Sequence, residues 1–183
     1  MGSKSVTLKK NKMKYIFLIL LFFLQTPPLW SQHRTVSITL PTVALLDIHP
    51  SGSINLKFSA PTEAGNPLVN PSNNTKWLNY TSAVTAGTSR TVTAQLNQTI
   101  PGVAIRVQAA AASGSGGGIR GVSAGLVTIG TSPSIILSGI GGAFTGNDVN
   151  NGHQLTISLA PGNYANLSAQ TNSVVITYTL SDI

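Results

Sequence analysis

Apolar and polar side chains alternate in short runs along most of the chain, whereas helical periodicity is almost absent. Ten runs can be delimited, at residues 34–40, 43–48, 53–60, 76–83, 89–96, 103–111, 124–130, 133–140, 153–160 and 173–180. Alternation with a period of two is typical of strands that have one face on a core and one in water. Clusters of Gly, Pro and Asn separate the runs, as turns require, and we expect the Gly-rich SGSGGG at residues 113–118 to be a flexible loop. We therefore predict an all-β fold, an antiparallel β-sandwich of about ten short strands.

The most regular alternation lies in SVVITYTLSDI, at residues 173–183. Its apolar face is formed by Val174, Ile176, Tyr178 and Leu180. We expect a central or near-central strand whose apolar face closes the core, and we expect its partner to be a strand of the same chain. Truncation at Ser173 should then prevent folding, because the neighbouring apolar faces would stay in contact with water.

The N-terminal stretch MGSKSVTLKKNKMKYIFLILLFFLQTPPLWSQ reads as a secretory signal. It joins a basic leader to an apolar run of about ten residues, Tyr15–Leu24, and then to Pro27 and Pro28. A membrane-spanning helix needs roughly 20 apolar residues, so an uncleaved anchor is the weaker interpretation. We predict a cleaved signal peptide at residues 1–31 and one domain at residues 32–183. The mature protein should be secreted or on the cell surface, extracellular or periplasmic, with no stable membrane span.

Removal of this segment changes the charge of the protein. The formal net charge of +7 includes five lysines of the leader. Residues 32–183 hold six Lys or Arg against four Asp or Glu, a net charge of only +2. Six scattered cations do not form the basic patch that a nucleic acid needs, so we expect no nucleic-acid partner. The chain has no cysteine, which excludes a thiolate metal site, a thiol nucleophile and a cysteine-linked lipid anchor.

Candidate catalytic and metal-binding groups are few. Asp47 and His49 are two residues apart, so on a strand they would share a face as a possible base and its orienting partner; a polar strand end before a turn explains them better. The loop GNDVNNGH, residues 146–153, offers oxygen ligands for calcium but only one carboxylate. Its Asn, Asp and Gly residues also suit the left-handed conformations of turns. We predict no catalytic residue, no metal site and no cofactor, and hence no enzyme.

A sugar contact is the alternative that the aromatic residues raise. Trp77 is the only tryptophan after residue 31, and Tyr80 follows three positions later. On a regular strand Tyr80 shares the face of Leu78 and Trp77 has the opposite face, so one of the two aromatics belongs to the core. An exposed Trp77 stacking on a sugar ring would make the protein a small carbohydrate-binding module.

The stretch NYTSAVTAGTSRTVTAQLNQTIPGVAIRVQA, with LTISL and the ending SVVITYTLSD, resembles secreted bacterial pilin-like and WxL-type β-sandwich surface proteins. The WSQ junction is similar to those of signal peptides in Bacteroidetes-type bacteria. The resemblance implies an Ig-like or pilin-like sandwich and a non-enzymatic structural or adhesive subunit of the fimbrial kind. It also implies partners: other copies or other surface subunits joined by strand pairing, and glycans where the subunit is adhesive.

In such families, the resemblance implies, an extended segment of one chain completes the sheet of another. The segment RTVSITL, residues 34–40, suits this role because Val36, Ile38 and Leu40 alternate with Thr and Ser. The same pattern suits an ordinary first strand of its own domain, which is the simpler expectation.

Overall fold

A computed structural model describes residues 34–183, and the signal peptide predicted for residues 1–31 lies outside the described residues. The described residues contain nine β-strands, all paired antiparallel, and no α-helix; a 3₁₀ turn spans Tyr164–Asn166. The strands are β1 (Val43–His49), β2 (Ser72–Ala83), β3 (Arg90–Leu96), β4 (Val103–Ala109), β5 (Gly117–Ser123), β6 (Leu126–Ile129), β7 (Ser134–Phe144), β8 (His153–Pro161) and β9 (Ile176–Asp182). The predicted all-β antiparallel class is confirmed. No helix within residues 34–183 is long and apolar enough to cross a membrane.

The ladders join the strands in the order β6-β4-β8-β2-β7-β3-β9, and the sheet is not closed. Two strands pair off this path, β1 with β2 and β5 with β7. Strand β2 changes partner along its length: residues 72–78 pair with β8, and Thr81 and Ser82 pair with β7. Strands β1 and β9 each have one paired edge within the described chain.

Period-two alternation builds the core. In β3, for example, Val92, Ala94 and Leu96 are buried, and in β8 Leu155 and Ile157 are buried. One cluster unites the buried apolar side chains of six strands: Leu78, Tyr80, Val92, Ala94, Leu96, Ile105, Val107, Ala109, Ile129, Ile136, Leu137, Ile140, Ala143, Leu155 and Ile157. A single contiguous core of this kind stabilises about 150 residues without any disulfide.

Two of the ten predicted strands are not formed. Residues 34–40 belong to no strand, and residues 53–60 make only an isolated bridge between Ser59 and Val69. The apolar side chains of the second segment, Ile54 and Leu56, still pack half-buried against the core. Its backbone is therefore extended but has no ladder partner in the described chain. Period-two alternation predicts an extended segment, and it does not show whether that segment pairs with another strand.

Strand β5 is the opposite case, a strand that the sequence did not predict. The sequence predicts a flexible loop at residues 113–118. Gly117 and Gly118 instead begin β5, which pairs with β7. Gly118 has a φ of +82°, and a Cβ there would lie 2.1 Å from the carbonyl oxygen of Gly142. The glycines thus allow two backbones to approach closely, and the prediction of a flexible loop is wrong for Gly117 and Gly118.

Strand β9 pairs with β3 along its whole length, from Arg90 opposite Asp182 to Leu96 opposite Ile176. Beyond the ladder, Asn97 and Val175 exchange two hydrogen bonds of 2.7 and 3.1 Å. Pairing within the same chain is as predicted. The central position is not: β9 ends the strand order, and its second edge has no partner among the described residues.

Candidate functional site

The unpaired edge of β9 carries an incompletely covered part of the core. Ile176, Tyr178 and Leu180 pack against the core cluster but remain half-buried, and Val174 does the same just before the strand. The alternate residues of β9 face solvent. An edge strand also presents a row of unpaired backbone N–H and C=O groups, so this edge can accept a further strand.

Strand β1 is a second unpaired edge beside it. Leu46 and Ile48 of β1, and Ile54 and Leu56 after it, pack half-buried against the same core. Cα atoms of β1 and β9 come within 8 Å of one another, yet the two strands do not pair. We call this region the open edge; it comprises Leu46, Ile48, Ile54, Leu56, Val174, Ile176, Tyr178 and Leu180.

A buried arginine holds one end of the open edge. Arg90, only 4% exposed, donates from Nε to Oδ1 of Asp182 at 2.6 Å. Its Nη1 donates to the carbonyl oxygen of Val43 and to Oγ of Ser82, the latter at 3.2 Å. One planar guanidinium therefore joins the start of β1, the end of β2 and the end of β9.

Tyr178 brings an unsatisfied polar atom to the open edge. Its hydroxyl is buried and has no hydrogen-bond partner within residues 34–183. Desolvation by burial raises the pKa of this phenol, so the group stays a neutral O–H donor. A buried donor without an acceptor costs free energy, so this hydroxyl lowers the stability of the described domain.

The segment before β1 displays apolar side chains to solvent. Val36, Ile38 and Leu40 are 76%, 87% and 84% exposed, and residues 34–42 form no strand. The expectation of an ordinary first strand at residues 34–40 is therefore wrong, and the first strand is β1.

Asp47 and His49 lie on the same face of β1, as predicted, but they do not form a pair with each other. His49 Nε2 instead lies 2.7 Å from Oδ1 of Asp148 in the loop at residues 146–152, and both side chains are partly exposed. Asp148 and Asn150 have φ angles of +77° and +66°. These are the left-handed conformations that the Asn- and Gly-rich composition predicts.

Trp77 and Tyr80 lie on opposite faces of β2, as the alternation predicts. Tyr80 is buried in the core, 4% exposed, and Trp77 is half-buried in β2 opposite His49 of β1. Trp77 therefore lies on the outer face of the β1–β2 pair, and its role as a sugar contact stays a prediction.

A buried histidine is the polar feature that the sequence reasoning missed. His153 has no exposed surface, and its Nδ1 donates to the carbonyl oxygen of Ala110 at 2.8 Å. Its Nε2 lies 3.1 Å from the hydroxyl of Tyr80 and 3.2 Å from the carbonyl oxygen of Arg120, which also accepts from the Tyr80 hydroxyl. Its burial could have been predicted from its position, because His153 lies on the same face of β8 as the buried Leu155 and Ile157.

Acid should destabilise the protein through His153. Desolvation by burial, assisted by the charge of Arg120, lowers the pKa of His153 below its ordinary value near 6.5, although its backbone hydrogen bonds act in the opposite direction. The unfolded chain then binds a proton at a higher pH than the folded chain. We expect the free energy of unfolding to be constant above about pH 6.5 and to fall below it, by at most about 1.4 kcal/mol per pH unit from this group.

Urea unfolding between pH 8 and pH 5 measures this dependence. His153→Gln should flatten the curve in that window, whereas His49→Gln, which removes a partly exposed imidazole outside this buried network, should leave the loss in place. An equally steep curve for His153→Gln would contradict the assignment.

Comparison of the chain with protein-family profiles, with curated proteins and with solved structures finds no match in any of the three.

Proposed function

We propose that the protein is a non-enzymatic secreted subunit of the bacterial cell surface, structural or adhesive, which assembles by strand addition. Residues 34–40 of one copy, or of a related subunit, add to the open edge of the next. The observation that carries the proposal is a complementary pair of features in one chain: an unpaired, half-covered core edge and an exposed segment with strand alternation. The secreted location rests on the predicted signal peptide.

The proposal includes a two-layer sandwich of the Ig-like or pilin-like kind. One layer is β1-β2-β8-β4-β6 and the other is β9-β3-β7-β5, and β2 crosses between them where its partner changes from β8 to β7. In support, one core cluster joins buried apolar side chains of both layers, for example Leu155 of the first layer and Val92 and Ile136 of the second, as in sheets packed face to face. In this arrangement β1 and β9 are edge strands of opposite layers, and an added strand would pair with the free edge of β9.

Length and pattern support the match between segment and edge. The segment spans seven residues and so does β9, which corresponds to roughly 23 Å of extended chain. An added strand would place Val36, Ile38 and Leu40 on the core side and its Thr and Ser side chains in solvent. Backbone hydrogen bonds would give affinity, and the alternate apolar side chains would set the register.

Deletion of the segment should abolish assembly without unfolding the domain. The mature chain, residues 32–183, should form oligomers or rods by light scattering and negative-stain microscopy, whereas a chain starting at Thr42 should be monomeric. A synthetic peptide of residues 34–42 should bind this shortened chain and raise its Tm. An Ile38→Asn peptide should bind about 10- to 100-fold more weakly, because burial of one large apolar side chain is worth about 1.5–3 kcal/mol.

A Thr39→Ala peptide is the matched control, since it changes the solvent side of the same segment and should bind like the parent peptide. Strand addition would be refuted if the mature chain stayed monomeric at high concentration and if the peptide did not change the Tm of the shortened chain.

A further inference from the structure

The link between the exposed segment and the domain is two residues long. Only Pro41 and Thr42 separate Leu40, the last residue of the segment at 34–40, from Val43, the first residue of β1. Consecutive Cα atoms are about 3.8 Å apart, so the Cα atom of Leu40 lies at most about 11 Å from that of Val43. The position at which β1 begins therefore limits the part of the open edge that this segment can reach in its own chain.

Strand β1 begins at the carboxyl-terminal end of β9. The guanidinium of Arg90 donates both to the carbonyl oxygen of Val43 and to Oδ1 of Asp182, so one side chain connects the two strand ends. The other end of β9 is at Ile176, roughly 20 Å away along an extended strand of seven residues. The ladder between β9 and β3 has no register shift, so no bulge shortens this distance.

An antiparallel addition would place Leu40 at this far end of β9. In the register that overlaps all seven residues of the segment with the strand, Leu40 lies opposite Ile176, and the apolar side chains of both share the core face. All eight ladders of the described chain are antiparallel, which favours this direction. The two-residue link reaches only about half of the distance from Val43 to Ile176. The segment therefore cannot add antiparallel to β9 of its own chain.

A parallel addition within one chain is within reach of the link, since it would place Leu40 beside Asp182. Parallel pairing is slightly less stable per residue than antiparallel pairing. The described chain does not adopt it, because residues 34–40 form no strand and Val36, Ile38 and Leu40 remain largely exposed. The segment and the edge of one molecule are therefore both available to other molecules.

We propose that the short link Pro41–Thr42 prevents the chain from completing its own open edge and thereby directs residues 34–40 to a second copy. The inference rests on the proposed strand addition, and it specifies the partner and the direction. The segment of one copy adds antiparallel to β9 of the next. Because each copy uses two different surfaces for its two neighbours, the contact is heterologous and the assembly grows head to tail.

A longer link should convert the assembling chain into a self-completed monomer. Ten Gly and Ser residues inserted between Thr42 and Val43 give a flexible link of 12 residues, whose average span of roughly 20 Å matches the distance to Ile176. A tethered segment acts at an effective concentration in the millimolar range, so it excludes other copies at micromolar protein. We expect this chain to be monomeric by light scattering, with a Tm above that of the chain that starts at Thr42.

The same ten residues inserted after Gly65, in an exposed loop, are the matched control. This insertion leaves the link at two residues, so the chain should assemble like the mature chain of native length.

Engineered disulfides report the direction of addition, since the chain has no native cysteine. Thr39 would lie opposite the outward Thr177 in the antiparallel register and opposite Ser181 in a parallel one. A mixture of Thr39→Cys and Thr177→Cys chains should therefore form cross-linked dimers, whereas a mixture of Thr39→Cys and Ser181→Cys chains should not. In the chain with the longer link, Thr39→Cys combined with Thr177→Cys should cross-link within one molecule.

Two results would overturn the inference. One is a long-link chain that assembles as the native-length chain does. The other is an intramolecular disulfide, at high dilution, in a native-length chain with Thr39→Cys and Ser181→Cys. Strand addition would survive either result if the peptide of residues 34–42 still raised the Tm of the shortened chain. If that peptide had no effect and the native-length chain were monomeric, strand addition would fail and this inference with it.

Discussion

A chain that ends at Ser173 is expected to be unfolded or aggregated. The truncation removes β9, its complete ladder with β3, and the half-buried Ile176, Tyr178 and Leu180. It also exposes an edge of β3, whose Val92 is fully buried in the intact protein. Partial burial of these side chains together with the ladder is worth about 5 kcal/mol or more, a large share of the about 5–15 kcal/mol that stabilises a native domain.

Circular dichroism and ¹⁵N-correlation NMR of the truncated chain measure this outcome. Deletion of Ile183 alone is the matched control, because that residue is 74% exposed and follows β9. It should preserve a cooperative thermal transition. A soluble chain ending at Ser173 with dispersed resonances and a cooperative melt would show that β9 is not needed to close the core.

Replacement of Arg90 by Met should lower the free energy of unfolding by about 3 kcal/mol, and Tm by about 10 °C. Methionine keeps much of the apolar stem but loses the hydrogen bonds to Val43, Ser82 and Asp182. The buried carbonyl of Val43 then lacks its donor. Arg90→Lys should recover only part of the loss, since one ammonium group does not reproduce the forked guanidinium.

Asp182→Asn separates the ion pair from the rest of this network. The Asp182 side chain is 70% exposed, so water can replace much of the carboxylate, and we expect a loss of only about 1 kcal/mol. Thermal and urea unfolding of the three variants measure these differences. If Arg90→Met were no less stable than Asp182→Asn, the contacts to β1 and β2 would contribute nothing.

The sequence predicted the class of the fold and most strands because alternation is a local property. Eight of the nine strands overlap predicted runs, and only β5 was missed, since its glycines serve a close approach to β7 that no local pattern reveals. The position of β9 at an edge, and the exposure of Val36 and Ile38, depend on which distant strands pair. Propensity does not encode that choice.

The candidate sites were harder to predict for the same reason. Asp47 and His49 were singled out by their spacing, but their neighbours Asn79 and Asp148 come from β2 and from a loop about 100 residues away. The burial of His153 follows from that assembly. Alternation with apolar residues identifies a buried position, yet it does not show which distant residue the buried side chain contacts.

The strand order also sets how the chain reaches its folded state. Of the eight ladders, only β1–β2 joins strands that are consecutive in sequence. Strand β3 pairs with β9, which follows it by more than 80 residues. Such a high contact order slows folding, because loop-closure entropy is lost before the long-range contacts form. For the secretion that we propose, slow closure of the core would keep the chain unfolded for longer, which is the state that a narrow translocation channel can transport.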